Sequence, residues 1–209
     1  MTPLMADHDQ PLREDAVAAD PLVQFDRWFA DASAAGVRMP EAMSVATASP
    51  DRIPSTRMVL MKGCDERGVV FFTNYASRKG FDLTENPQAA LLFYWDVLGR
   101  QVRIEGPVTP TSPQESADYS RSRPRGSRIS ALASPQSQPV ADRSELEALV
   151  AEVERELDGA EPPVDDGWGG FRVTPARWEF WQNRDDRLHD RLLYTPAADG
   201  SWRIQRLAP

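Results

Sequence analysis

The chain has 209 residues, 41% of them apolar, enough for one domain with a sizeable core. Its formal net charge of −8 excludes the basic footprint that nonspecific nucleic-acid or acidic-membrane binding requires. The single cysteine, Cys64, excludes an intramolecular disulfide and a cysteine-rich zinc site. With a polar start, MTPLMADHDQPLRED, and no run of about eighteen apolar residues, the chain reads as a soluble cytoplasmic protein.

Residues 1–19 are polar and lack a clear period, so a mobile arm is expected ahead of a single domain over 20–209. Asp20-Pro21 opens a helix as N-cap and first helical residue; Leu22, Phe25, Trp28, Phe29 and Ala32 share one stripe, and Gly36 ends it. Residues 42–48, small and β-branched, read as a strand. Over 57–80 the sequence predicts a hairpin and then a helix. Met58, Val59, Leu60 and Met61 form an apolar run suited to a strand buried on both faces, Asp65-Glu66-Arg67-Gly68 supplies the turn, and 69–73 is β-branched and aromatic. Ser77 caps a helix that stops at Asn86-Pro87. Strands at 89–95 and 100–108 bring the count to five with short links, the pattern of a small antiparallel barrel rather than a doubly wound sheet.

Pro113, behind Ser112, starts a further helix that includes Tyr119. From 119 to 141 there is no acid, while Arg121, Arg123, Arg125 and Arg128 fall close together. A solvated loop is one reading. The interleaved aromatics that stack bases are missing, whereas Ser122, Ser127, Ser134, Gln136 and Ser137 offer the neutral donors of a phosphate cradle. Ser144 and Glu147 form a capping box ahead of the stripe Leu146, Leu149, Val150, Val153 and Leu157, which Gly159 ends. After a Pro/Asp loop at 161–167, strands are expected at 168–173, 177–181, 191–194 and 202–207.

Four cations mark candidate chemistry in the central stretch. Arg57 and Lys62 flank the apolar run, and Arg78 and Lys79 sit in the first helical turn, where free backbone N–H groups converge. Cations there oppose the helix dipole, so an anion such as phosphate is expected to compensate them; solvated strand and helix ends are the alternative. Further on, Arg187, His189 and Arg191 alternate, and an extended segment would put all three on one face. A lone histidine is more often structural than catalytic; its two arginine neighbours favour the catalytic reading.

The motifs RMVLMK at 57–62, FTNYASRK at 72–79, GRQV at 99–102, YSRSRPRGS at 119–127, PQSQ at 135–138, WGGFR at 168–172, EFWQ at 179–182, RLHDR at 187–191 and the terminal RLAP occur in this order. Together they resemble the pyridoxine (pyridoxamine) 5′-phosphate oxidase family from about residue 20 to 209. The resemblance implies a mainly β, α+β fold, the FMN-binding split β-barrel, assembled as a homodimer. It implies oxidation of a phosphorylated B6 vitamer to pyridoxal 5′-phosphate, with O2 as acceptor, H2O2 as product and no metal. Residues matching Arg57, Arg78 and Lys79 hold the FMN phosphate in such enzymes, and those matching Met58, Val59, Leu60, Phe72, Thr73 and Gln101 line the flavin. Residues matching Gln136, Ser137, Trp181 and Arg191 complete the flavin site across the dimer interface. Lys62, Tyr119, Arg123 and Ser127 match the grip on the substrate phosphate, with Lys62 also beside the cofactor. Arg187 and His189 match the catalytic pair over the pyridine ring.

Three positions depart from the family pattern: Met39 where an acid commonly precedes a proline, Leu12-Arg13-Glu14-Asp15 where a lid carries a tyrosine, and Leu132 where a tryptophan is frequent. A related phenazine-pathway oxidase and a noncatalytic module binding FMN or pyridoxal phosphate are the alternatives. The phosphate grip favours a phosphorylated substrate, since a neutral or carboxylated tricycle would leave those cations uncompensated.

Overall fold

Alternation of buried and half-exposed side chains builds the sheet. In β1 (Ala42–Ala48), β5 (Gln88–Trp95) and most of β6 (Arg100–Pro110) every second residue is buried, so each strand has a core face and an outer face. The computed structural model describes residues 11–209 and joins ten strands in one antiparallel sheet. Its path runs through β10 (Trp202–Arg206), β9 (Asp190–Pro196), β8 (Arg177–Gln182), β6, β5, β1 and β2 (Pro54–Leu60). The long β6 serves two neighbours, pairing with β8 over 100–105 and with β7 (Trp168–Val173) over 108–110. In turn β7 pairs with β4 (Gly68–Asn74), which pairs with the short β3 (Gly63–Asp65). Lys62 N–H donates to Val70 C=O at 2.8 Å and brings β4 back beside the end of β2. The sheet thereby curls into the split barrel of the α+β class that the sequence predicts.

Phe93, Val102, Phe180 and Leu192 lie opposite one another across β5, β6, β8 and β9, each fully buried. Against them packs α1 (Pro21–Ala34), capped by the Asp20 carboxylate accepting from Leu22 N–H and ended before Gly36, whose φ is +80°. Phe25 meets Phe93 at 5.1 Å and Trp28 meets Phe180 at 5.2 Å between ring centroids. Burial of each such ring contributes about 1.5–3 kcal/mol. Of the expected N-terminal arm, residues 11–19 are described and are tied down: Leu12 is buried, its N–H donates to Asp190 Oδ2 at 3.1 Å, and Tyr194 Oη donates to Ala18 C=O at 2.8 Å. Residues 1–10 lie outside the described residues. No helix among the described residues is long and apolar enough to cross a membrane.

Four local expectations are corrected. The run 58–61 is not buried on both faces: β2 ends the strand path, and Met58 is 65% exposed. Nor does β2 form a hairpin with β4. It has a seven-residue ladder with β1, whereas the Asp65–Gly68 turn leaves only Gly63–Asp65 to pair with β4. The arginine-rich segment is not a loop throughout, because α4 (Arg125–Ala133) follows α3 (Pro113–Ser122), with Pro124 as its N-terminal boundary. Finally, α5 (Arg143–Leu157) is capped two residues before the expected Ser144: Asp142 accepts from Glu145 N–H at 3.0 Å, and Glu145 accepts from Ala141 N–H. Its apolar stripe is only half-buried.

Candidate functional site

A cavity of about 820 Å³ wraps the edge of β2 and is closed by β4, the start of α2 (Arg78–Glu85) and the α3–α4 junction. Residues from both faces of β2 reach it, among them Arg57, Met58, Val59 and Leu60. The helix end is set by packing: Ser77 Oγ accepts from Gly80 N–H at 3.3 Å, and a Cβ on Gly80 would lie 2.2 Å from Tyr75 O. Glycine alone permits that approach. Lys79 is consequently turned inward, where its Nζ donates to Thr73 Oγ1 at 2.9 Å, Ser77 Oγ at 3.1 Å and Gln136 Oε1 at 2.8 Å.

Arg57 is held in the same manner, by neutral acceptors: Thr47 Oγ1 at 2.8 Å, Ser55 Oγ at 2.5 Å and Val45 C=O at 3.2 Å. Those two hydroxyls also donate to the buried Asp82 carboxylate, at 2.6 and 3.2 Å, so the acid orients the cradle without capping the guanidinium. Burial pushes the Arg57 pKa down; it also lowers Lys79 to about 8, with the positive charge of Arg57 adding to the effect. Arg123 likewise titrates lower because of burial. It donates to Ser127 C=O at 3.1 Å and lies 4.6 Å from the centre of the Trp168 ring. Among the described residues none of these three cations touches a carboxylate, although the chain as a whole is acidic. An arrangement of cations, hydroxyls and helix N–H groups with no carboxylate in direct contact can bind phosphate dianions. One wall is aromatic: Phe72 stacks at 4.1 Å on Tyr119 and at 5.4 Å on Trp168.

Fourteen of the predicted site residues therefore line one cavity: Arg57, Met58, Val59, Leu60, Lys62, Phe72, Thr73, Arg78, Lys79, Tyr119, Arg123, Ser127, Gln136 and Ser137. Gln136 and Ser137 stand in the same chain's cavity as Lys79. Gln101, Trp181, Arg187, His189 and Arg191 do not line it. Gln101, Trp181 and Arg191 form a row across β6, β8 and β9, continued on β5 by Tyr94, which is 58% exposed. The row lies on the outer face, the same face to which β2 turns Met58. Arg191 donates to Glu179 at 2.8 Å, which raises its pKa, and to Ala208 C=O at 2.8 Å.

The alternation expected over 187–191 does not occur. Asp185–Arg187 is a tight 3-10 turn with Asp186 and Arg187 at φ +53° and +62°, and the strand begins only at Asp190. Two successive left-handed residues without glycine are strained, of order 1–3 kcal/mol each. Beyond the turn His189 rests on Trp181, ring centroids 4.7 Å apart, and accepts Arg184 N–H at Nδ1, which leaves its proton on Nε2. The remaining arginines of the basic segment sit on carboxylates instead: Arg121 pairs with Asp118, Arg125 with Glu154 and Arg128 with Glu161.

Sequence reasoning missed Ser55, Thr56, Pro124 and Trp168 in the lining, and Thr47 and Asp82 behind it. Ser55 could have been found, since it sits two residues from Arg57 on the same strand face. Asp82 could not, because its partners are 27 and 35 residues away. Among the described residues no group of three His, Cys, Asp or Glu side chains is placed to hold a metal ion.

Comparison with known proteins identifies the family. A family model described as pyridoxamine 5′-phosphate oxidase matches residues 29–156, and one described as the pyridoxine 5′-phosphate oxidase C-terminal dimerisation region matches 168–209. The pyridoxine/pyridoxamine 5′-phosphate oxidase of Rubrobacter xylanophilus is 54% identical, covering 95% of this chain and 91% of its own. That of Bordetella petrii is 56% identical, with 95% and 93% covered. A crystal structure of PhzG from Burkholderia lata 383, in complex with tetrahydrophenazine-1-carboxylic acid, superposes with a TM-score of 0.84 at 35% identity, covering 99% of this chain and 98% of that one.

Proposed function

The chain belongs to the pyridoxamine 5′-phosphate oxidase family, and from that premise we propose that it is an FMN-dependent oxidase converting pyridoxamine 5′-phosphate, pyridoxine 5′-phosphate or both to pyridoxal 5′-phosphate, with O2 as acceptor and H2O2 as product. The observation that carries this reading is the cavity in which Arg57, Lys79 and Arg123 are satisfied by neutral acceptors alone. Its cations fall into two sets. Arg57, Arg78 and Lys79 surround the start of α2 and would hold the FMN phosphate; Lys62 and Arg123, with Tyr119 and Ser127, would hold the phosphate of the substrate. A volume of about 820 Å³ is within the range that accommodates a ligand of FMN's size.

FMN, when bound, would supply the two-electron redox chemistry between substrate and O2. The chain's own part is binding and orientation. Met58, Val59, Leu60, Phe72, Thr73, Gln136 and Ser137 line the space beside the FMN phosphate grip. Arg187 and His189 would orient the pyridine ring, His189 through its Nε2–H. Because they and the Gln101–Trp181–Arg191 row do not line their own chain's cavity, we infer that a second copy supplies them. A homodimer paired through the outer sheet face, where Met58 and Tyr94 are exposed, accounts for that placement and for the match to a dimerisation region.

The structural likeness to PhzG favours one further reading, an oxidase acting on a tricyclic carboxylate. A substrate panel read by peroxide formation decides among the readings. Peroxide formed in step with pyridoxal 5′-phosphate is the expected result. Turnover of tetrahydrophenazine-1-carboxylic acid but of no phosphorylated vitamer would establish the phenazine reading, and bound FMN without any turnover would establish a noncatalytic module.

A further inference from the structure

We propose that Trp168 is the positioning residue of the substrate-phosphate grip, its indole face holding the Arg123 guanidinium in the cavity while leaving that group's N–H donors for the phosphate. The inference rests on the functional reading above and adds a residue to it. Arg123 is the exception within its segment: Arg121, Arg125 and Arg128 each sit on a carboxylate. Arg123 instead has a carbonyl, Ser127 C=O at 3.1 Å, and the Trp168 ring at 4.6 Å.

The choice of partner matters chemically. A carboxylate would occupy the guanidinium fork and compete with phosphate for the same N–H groups. An aromatic face attracts the charge through its quadrupole and accepts no in-plane hydrogen bond, so the edge of the fork stays available. Burial disfavours the charged guanidinium, as the lowered pKa of Arg123 indicates, and the ring offsets part of that cost until an anion arrives.

Trp168 is built to keep this orientation. It is 8% exposed, stands opposite Asn74 in the β4–β7 ladder, and lies nearly parallel to Phe72 and Tyr119, at 13° and 14°. The two residues after it are glycines under contact. A Cβ at Gly169 would fall 2.1 Å from Tyr75 Oη, and one at Gly170 would fall 2.6 Å from Thr111 Oγ1. Only glycine lets the start of β7 pack this closely on Tyr75 and Thr111, and that packing fixes where the indole stands. Open space borders the ring beyond the main cavity, in a side chamber of about 390 Å³ that Arg123 also lines. With Trp168 shortened, the guanidinium could swing into that chamber.

The test compares FMN-loaded wild type with Trp168→Phe, Trp168→Leu, Arg123→Ala and the Arg123→Ala/Trp168→Leu pair. Steady-state KM and kcat for pyridoxamine 5′-phosphate are read alongside the calorimetric Kd of inorganic phosphate as probe. Trp168→Leu is expected to raise KM and the phosphate Kd about 3- to 30-fold, the range of a desolvated cation–π contact. kcat should stay within about twofold, and Trp168→Phe, which keeps a π face, should recover most of the loss. In the Arg123→Ala background the leucine substitution should add nothing. The proposal is overturned if Trp168→Leu binds phosphate like wild type, if phenylalanine is no better than leucine, or if the tryptophan effect is equally large without Arg123. Should the leucine variant not fold, the same cycle run with Trp168→Met, which also removes the π face, decides: an effect of equal size with and without Arg123 again overturns it. If wild type turns over no B6 vitamer, the functional reading fails on its own, and the phosphate Kd still decides the role of Trp168.

Discussion

Lys79 Nζ donates to Gln136 Oε1 at 2.8 Å, joining the first turn of α2 to a residue 57 positions further along the chain. The same oxygen accepts from Thr73 Oγ1 at 2.8 Å, so this amide ties together β4, α2 and the segment after α4. With burial holding Lys79 near 8 rather than 10.5, the free protein loses this charge in the mildly alkaline range. A phosphate needs the protonated form. FMN affinity should therefore be flat below about pH 8 and weaken above it, whereas riboflavin, lacking the phosphate, should show no such dependence. Fluorescence titrations of both flavins from pH 6.5 to about 9.5 check this, and in Lys79→Met the FMN curve should lose its alkaline limb.

Stability of the flavin-free protein should move the other way. Between about 8 and 10.5 the unfolded chain binds more protons at this lysine than the folded chain does, so the lysine's contribution to stability rises with pH across that window. Urea unfolding of wild type and Lys79→Met at pH 7.5 and 10 should show the difference between them narrowing at the higher pH.

Asp82 acts on Arg57 through Thr47 and Ser55. Replacing it with alanine leaves the buried Thr47 hydroxyl and the half-buried Ser55 hydroxyl without their acceptor and frees Arg57 to leave the cradle. Asp82→Ala should cost about 1–3 kcal/mol of folding stability and weaken FMN binding roughly tenfold. Asp82→Asn, whose single amide oxygen can still accept both hydroxyls but carries no charge, should fall between. Unchanged FMN affinity in both would detach Asp82 from the site.

The two cation sets should separate in kinetics. Arg123→Ala should raise KM for pyridoxamine 5′-phosphate roughly 10- to 150-fold, the worth of a charge-assisted hydrogen bond of about 1.5–3 kcal/mol, with FMN content unchanged. Arg57→Ala should do the reverse, losing FMN on dialysis. A KM effect from Arg57 together with flavin loss from Arg123 would mean the two phosphates are assigned the wrong way round.

What was legible in the sequence was local. Asp20 and Ser77 cap their helices, Gly36 ends one, and the small and β-branched run 42–48 is a strand, because each signal is contained within a few residues. The partner of β2 was not legible, since a ladder is a choice among strands distant in sequence. Nor was α4, where Ile129 is the only buried residue and no apolar stripe announces the helix. The cationic cavity was foreseen from charges at strand and helix ends. The fate of Arg125 and Arg128 was not, since their acids lie 29 and 33 residues away. The alternation of Arg187, His189 and Arg191 misled because a left-handed turn at Asp186 and Arg187 breaks the extended backbone on which it depended.

The last prediction concerns the divided site. Arg57 lies in the cavity, whereas Arg191 lies in the row on the outer sheet face with Gln101 and Trp181, and only pairing of two chains would bring both to one flavin. Arg57→Ala and Arg191→Ala should each bind FMN poorly and turn over slowly as homodimers. In a heterodimer of the two, one site carries both defects and the other carries neither, because its cavity comes from the Arg191→Ala chain and its row from the Arg57→Ala chain. Random re-pairing makes half the dimers mixed, so the mixture should recover about a quarter of wild-type activity and FMN content. Sedimentation should find a dimer throughout. Mixing that restores nothing, although mass spectrometry shows the heterodimer has formed, would place Arg57 and Arg191 in separate functions, and a fully active monomer would remove the need for a second chain.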